Sequence, residues 1–351
     1  MNRRWICNDV WMDIFPCFDR PQLGLKLALL SPRFNALVDK HFDGKSELTI
    51  WRTIKICRKN SVTEAPELSV LNNFDYFGQF PLPDRPLPSK IRFKYLHISY
   101  IDHSVFAFLR SNQQIFDKRG TNLELFWISS PHNMDHQQLI WDIFVREIWP
   151  IFSPNIRHLG FNDGDDLDTL RRRTSPTILT DLLNLNSIEL HDLSPDSIDA
   201  DFDGPNATIS AGQALSKWLH HPRKDGQPKR LRCGKDLNEQ ADIYWVNNFK
   251  EAFLRANAIS SVCYQIHFSV RVPSIVPFEL VNEWTNEKLT LAKAKGWKNW
   301  IMKRCKIIGE TAAVVNWEDE NFDDWNTVLF WLYNVTNCIG PLSPPPAEEM
   351  N

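Results

Sequence analysis

The stretch NDVWMDIFPCFDRPQLGLKLALLSPRFNALVD, residues 8–39, sets three short helical segments ahead of everything else in the chain. The first starts near Asp9 and carries Val10, Ile14 and Phe18 at i, i+4 and i+8, with Trp11 and Phe15 beside them. Pro16 lacks a backbone donor, so that helix bends or ends there. Asp19 is placed to cap a second helix, and Pro21 suits its first turn. In that helix Leu23, Leu25, Leu27, Leu29 and Leu30 point in nearly every direction. Ser31-Pro32 repeats the cap-plus-proline signal for a third helix bearing Phe34, Leu37 and Val38, closed by Gly44. A helix apolar all round must be covered all round. Three short helices cannot do this alone, so the next domain or a second protein must supply the cover. Burying one Leu or Phe contributes roughly 1.5–3 kcal/mol, which makes half a dozen uncovered ones a liability.

The order and spacing of these residues resemble an F-box. Ile6 stands where that motif opens, Asp9-Val10 lie early in its first helix, and Ile14 and Phe18 run along it. Pro21 and Leu23 enter the second helix, Leu30 ends it, and SPRFNALVD closes the motif. The resemblance covers about residues 5–42, with Cys7 where many F-boxes have proline and Pro16 as an unusual rigid insertion. Over the whole chain it is closest to the expanded F-box families of nematodes. It implies docking on the Skp-type linker protein of a cullin–RING ubiquitin ligase through Ile6, Val10, Ile14, Phe18, Pro21, Leu23, Leu30, Phe34 and Leu37. Two other readings of the same helices stand beside it. They could cap the next domain, or form a helix-turn-helix, for which Arg33, Asn35 and Lys40 on the third helix are offset by Asp39 and Asp43.

The 351 residues exceed one comfortable core, and 43% hydrophobic with 24% charged residues is the composition of a folded protein. A net charge of -3 argues against a surface built wholesale for nucleic acid. The 14 Trp and 22 Phe point to thick aromatic packing or to a surface that grips protein. Asp9 and Asp13 interrupt the first apolar run, so no signal peptide is expected, and no uncharged run reaches the ~20 residues of a membrane span. Seven scattered cysteines read as reduced thiols of a cytoplasmic or nuclear protein, which makes the sequons at Asn206 and Asn334 chance matches.

From residue 93 to 259 short apolar strands alternate with helical patterns. KYLHI, NLELFWI, IRHLGF, NSIEL, KRLRC and SVCYQIHF start about 28–43 residues apart. Between them lie segments such as DHSVFAFLRSNQQIF, QQLIWDIFVREIW, SPTILTDLLNL, SAGQALSKWL and YWVNNFKEAFL. A strand, a return helix and a near-constant period suggest an irregular, leucine-rich-repeat-like β-α solenoid. An ordinary α/β layer gives the same alternation. Residues 45–92 read as a linking strand, ELTIWRTIKICRK, followed by a connector with four prolines in FGQFPLPDRPLPSK.

Across residues 260–335 the texture changes. VCYQIHFSVRV alternates cleanly, and PFELVNEWTNEKLTLAKAKGWKNWIMKRCKI reads as strand, polar turn, strand, Gly296 turn, strand. AAVVNWED and WNTVLFWLYNV complete an expected antiparallel meander. The pieces PFEL, LTL and RC resemble the matching region of the nematode F-box proteins. The proline-rich, acidic residues 336–351 read as a disordered tail. The fold class expected is therefore mixed α+β or α/β: a three-helix module, a β-α region and a C-terminal antiparallel sheet.

Motifs for chemistry are few. The sequence contains no P-loop, GxGxxG, GxSxG, HExxH or CxxC. The acidic runs at 163–168 and 199–204 lack the full alternating ligand loop of a calcium site and read as solvated loops with capping aspartates. Arg223, Lys224, Lys229, Arg230 and Arg232, beside His220 and His221, form the most basic patch. It is either a phosphate or nucleic-acid contact or a solvated turn at Asp225-Gly226. Arg171, Arg172 and Arg173 are offset by Asp165, Asp166 and Asp168. No catalytic residue, metal or cofactor is expected. The function implied is a substrate-receptor adaptor: the helices dock on the Skp-type linker while the rest holds an unidentified target, with Trp297, Trp300 and Trp317 as aromatic anchors. The alternative is an interaction protein outside any ligase, its N-terminal helices serving as a cap.

Overall fold

The computed structural model describes residues 6–43, 49–58, 65–72, 75–88, 91–117, 120–126, 134–191, 210–233, 239–257, 262–269, 275–294, 299–307, 326–332 and 338–343. In chain order the helices and strands begin with α1 (Asn8–Ile14), α2 (Arg20–Gln22) and α3 (Pro32–Asp43). Strands β1 (Thr49–Cys57), β2 (Glu67–Asn72), β3 (Asp75–Pro81) and β4 (Ile91–Ile98) follow. Next come α4 (His103–Ser111), α5 (Gln113–Asp117), β5 (Thr121–Phe126), α6 (Met134–Ile143) and α7 (Trp149–Phe152). Then β6 (Ile156–Phe161), α8 (Gly164–Arg173), α9 (Ile178–Asp181), β7 (Ser187–Leu190), α10 (Ala211–His220), β8 (Lys229–Cys233) and α11 (Glu239–Arg255) alternate. The series closes with β9 (Tyr264–Ser269), β10 (Phe278–Asn282), β11 (Glu287–Lys293), β12 (Asn299–Lys306) and β13 (Asn326–Trp331). The molecule is thus mixed α/β, and among the described residues no helix is long and apolar enough to cross a membrane. The contacts divide it into two compact units, residues 1–155 with 322–351, and residues 156–321.

In the first unit α1 stops at Ile14, and Phe15–Cys17 tightens into a 3-10 turn around Pro16, where a missing backbone donor ends regular helix. The second helix starts at Arg20 without a side-chain bond from Asp19, and Pro21 occupies its first turn. It runs on through a π turn, Leu23–Leu27, and a 3-10 turn, Ala28–Leu30. Ser31 then caps α3, its Oγ accepting the amide of Phe34 at 3.3 Å. The strands of this unit lie in the order β5-β13-β4-β1-β2-β3. β13, β4 and β5 are parallel, with Val328 opposite both Leu96 and Leu123, and β1 is parallel to β4. β2 and β3 turn back antiparallel at the edge.

Three expectations are corrected here. The segment 45–92 is more than a linker: it supplies β1 and an antiparallel pair, with Pro81 at the end of edge strand β3, where a missing amide costs no ladder bond. The segment WNTVLFWLYNV does not extend the C-terminal meander. As β13 it lies between β4 and β5, with Val328 and Phe330 fully buried, which is why it reads as one unbroken apolar run. The span 336–351, expected to be disordered, holds ordered residues at 338–343. Ile339 bridges Ile101, Gly340 donates its amide to the Ile101 carbonyl, and the amide of His103 bonds Pro341 O.

In the second unit β6, β7, β8 and β9 are parallel and adjacent in chain order, each separated from the next by helix. β9, β12, β11 and β10 continue the order antiparallel, as the alternating patterns of 262–268 and 278–306 foretold. Ser210 opens α10 with a capping box: its hydroxyl takes the Gln213 amide while the Gln213 side chain takes its own. One helix is unforeseen. The run 163–168, read as a solvated loop with capping aspartates, opens α8: Asp163 does cap it, its carboxylate accepting the Asp166 amide at 2.9 Å, but the helix begins at once at Gly164. A fully buried ion pair stands on the inner face of the meander, Glu287 with Arg304 at 2.5 Å. The guanidinium also stacks over Phe253.

Candidate functional site

The N-terminal helices build a small core of their own. Phe15, Leu23, Ala28, Leu37, Val38 and Phe42 are buried together, with Trp11, Met12, Phe18, Leu27 and Phe34 half-buried around them. Trp11 meets Phe34 edge-on at 4.9 Å and so joins α1 to α3, while Phe15 meets His41 in the same way at 5.6 Å. Arg33 fastens the seam from outside. Its guanidinium donates to Asn8 Oδ1 and to the carbonyl of Ile6 at 2.7 Å, holding the chain ahead of α1 against the start of α3. The second helix turns another side inward: Leu25 is buried although it stands outside this cluster, and Lys26 Nζ lies over the Phe80 ring of β3.

The nine residues expected to dock on a partner therefore divide. Ile6, Val10 and Leu30 are 45%, 44% and 64% exposed. Ile14, Phe18 and Phe34 are half-buried. Pro21, Leu23 and Leu37 are buried, so they shape the module and cannot touch a partner. A helical period identifies an apolar stripe, yet it cannot say which of two apolar faces closes on its own neighbours and which is left outside.

The aromatic anchors fare differently. Trp300 is buried on β12, and Trp297 and Trp317 lie outside the described residues. An exposed tryptophan stands elsewhere: Trp284, 82% exposed, on the turn between β10 and β11. Buried Asn282 holds that turn. Its amide donates to the carbonyls of Phe253 and Ala256 at the end of α11, and its oxygen accepts the amides of Trp284 and Thr285. Val281, 48% exposed on the same strand, and Leu254, 53% exposed beside Phe253, add apolar surface nearby. The only sequence signal was a tryptophan set among turn residues in NEWTN.

The basic patch does not survive folding as a patch. Lys229 is buried, with its ammonium donating to the Trp218 carbonyl and lying 4.9 Å from the centre of the Trp218 ring. Burial pushes its pKa down to about 8. Arg223 pairs with Asp225, and Arg232 faces Glu189 at 3.6 Å. Of the triple arginine, Arg171 is buried against Asp168 at 2.6 Å and Arg172 bonds Thr169. In the acidic run before them, Asp163 is spent as a helix cap. Burial, with Asp163 and Asp165 alongside, pushes Asp166 up to about 8, so it holds its proton at neutral pH. The second acidic run, 199–204, lies outside the described residues. Among the described residues no three His, Cys, Asp or Glu side chains are grouped to hold a metal ion. Comparison of the chain with family models, with curated proteins and with solved structures returns no match.

Proposed function

We propose that this chain is a non-catalytic substrate-receptor adaptor of an SCF-type (Skp–cullin–F-box) ubiquitin ligase, working in the cytoplasm or nucleus. The N-terminal helices dock on the Skp-type linker, the rest of the chain holds a target, and the associated ligase transfers ubiquitin. The observation that carries this reading is the split within the helical module. It closes a core of its own and sets Lys26 over Phe80 of β3, yet leaves Ile6, Val10 and Leu30 exposed. A helical cap has no need of that third surface, since burying each such side chain is worth roughly 1.5–3 kcal/mol. The β-α region is read as an irregular leucine-rich-repeat-like body, in keeping with its consecutive parallel strands. Trp284 is the target anchor we favour: it is large, exposed and held on a fixed turn, the kind of residue that dominates interfaces. Such an adaptor acts by geometry, raising the effective concentration of target lysines near the transferring enzyme.

The test is co-elution of the full-length chain with a purified Skp-type linker on size exclusion, for wild type and for a Val10→Asp, Leu30→Asp double variant. Wild type should shift to a complex and the double variant should not, with both giving the same circular-dichroism spectrum. A wild-type chain that elutes alone and monodisperse would instead make the helices a cap.

A further inference from the structure

We propose that Cys263 and Cys305 form a dithiol modification site, oxidised to a cross-strand disulfide by low-molecular-weight disulfides such as oxidised glutathione. The argument starts from register. β9 and β12 are antiparallel with Tyr264 opposite Arg304, Gln265 opposite Lys303 and Ile266 opposite Met302. Continued one residue past Tyr264–Arg304, the same register sets Cys263 opposite Cys305, and the Cys305 sulfur lies close enough to act on the Cys263 thiol. The pleat keeps directly opposed side chains on the same face. Tyr264 and Arg304 are buried on the inner face, so the two thiols share the other one, and both are half-exposed. Directly opposed residues of antiparallel strands have Cα atoms about 4.5–5.5 Å apart, inside the roughly 4.4–6.8 Å that a disulfide spans. The other cysteines stand elsewhere: Cys233 and Cys338 are buried, Cys7 and Cys17 are exposed on the N-terminal helices, and Cys57 lies beside Ser69 Oγ.

The surroundings assign the order of events. Cys305 stands directly opposite Lys288 on its other side, and Lys303 precedes it by two residues on the same face. Both ammonium groups favour its thiolate and work against burial, which pushes its pKa up. Cys263 is pushed up to about 11 by burial, by Cys305 and by Glu287. Cys305 is thus the attacking sulfur. Its thiolate displaces one glutathione thiolate from the oxidant and forms a mixed disulfide. Cys263 then gives up its proton, attacks the Cys305 sulfur and releases the second glutathione. Two protein thiols are oxidised, one oxidised glutathione becomes two reduced ones, and the two thiol protons end on those glutathiones. The bond ties the start of β9 to the end of β12 and so brackets β10 and β11 between its ends.

The full-length wild-type chain is incubated with oxidised glutathione, quenched in acid, alkylated, digested without reductant and read by mass spectrometry. The expected product is one linked peptide pair carrying Cys263 and Cys305, lost on treatment with dithiothreitol, while Cys7 and Cys17 carry at most single glutathiones. Cys263→Ser should stop at the Cys305–glutathione adduct, and Cys305→Ser should leave Cys263 largely reduced, both variants retaining the wild-type circular-dichroism spectrum. Recovery of Cys263 and Cys305 as alkylated thiols from wild type, or linked to other cysteines, overturns the proposal, and that measurement depends on no variant.

Discussion

Asp166 sits in the first turn of α8, buried, with one carboxylate oxygen lacking any hydrogen-bond partner. Its folded pKa is raised to about 8 from an ordinary value near 3.8, so the folded chain holds a proton there that the unfolded chain releases. Its stabilising share is therefore fully present below about pH 4 and is lost as the pH rises through 8. Asp166→Asn keeps a neutral group of the same shape. We expect the variant to match wild type in thermal melts at pH 3, below the unfolded pKa. At pH 9 it should be clearly more stable, because folded wild type must then carry a buried carboxylate charge that the amide does not. Equal melting temperatures at both pH values would contradict this reading of the site. Single residues were also where the sequence was least legible. Leu23 and Leu30 look alike in a leucine-rich helix, yet one is core and the other 64% exposed, because packing partners far along the chain decide. Lys229 looked like part of a basic patch, and only the fold shows its ammonium turned onto Trp218.

Strands and helices were far easier to read. All six apolar cores from KYLHI to SVCYQIHF became strands, since each is a short apolar run bounded by turn residues. The meander emerged from strict alternation, and α10 from the helical pattern of SAGQALSKWL. α8 was missed because its acidic first turn resembles a loop when the buried Leu167 and Leu170 are not weighed. β13 was recognised as apolar but misplaced: pairing across more than 200 residues leaves no local mark. The same holds for the C-terminal segment, which docks where Tyr100 donates to Asp102 and Asp102 caps α4. Gly340 fits there only because it has no side chain. A methyl group would overlap the Tyr100 hydroxyl and press on Asp102. Gly340→Ala should therefore free residues 338–343 and lower the melting temperature by several degrees, seen as faster proteolytic trimming of the C-terminus. Unchanged trimming would mean that the segment does not depend on this contact.

At the level of the whole molecule, the chain divides into two compact units, and the first contains a helical module that has kept some of its apolar surface outside. The aromatic-rich composition and the F-box-like spacing led the sequence reading to expect a protein that binds proteins. The folded chain narrows the proposed contact to Ile6, Val10 and Leu30, with Ile14, Phe18 and Phe34 at its margin. Arg33 belongs to the same account, because it fixes Ile6 and Asn8 against the third helix and so keeps the surface in one piece. The most direct measurement is a calorimetric titration of the Skp-type linker into the full-length chain, repeated with Leu30→Asp and with the distant Trp284→Ala. Saturable one-to-one binding is predicted for wild type and for Trp284→Ala. Leu30→Asp should lose it while melting at the wild-type temperature. Absence of binding by the wild-type chain, or equal binding by a folded Leu30→Asp, would contradict the adaptor account and leave the helices as a cover for the sheet beneath them.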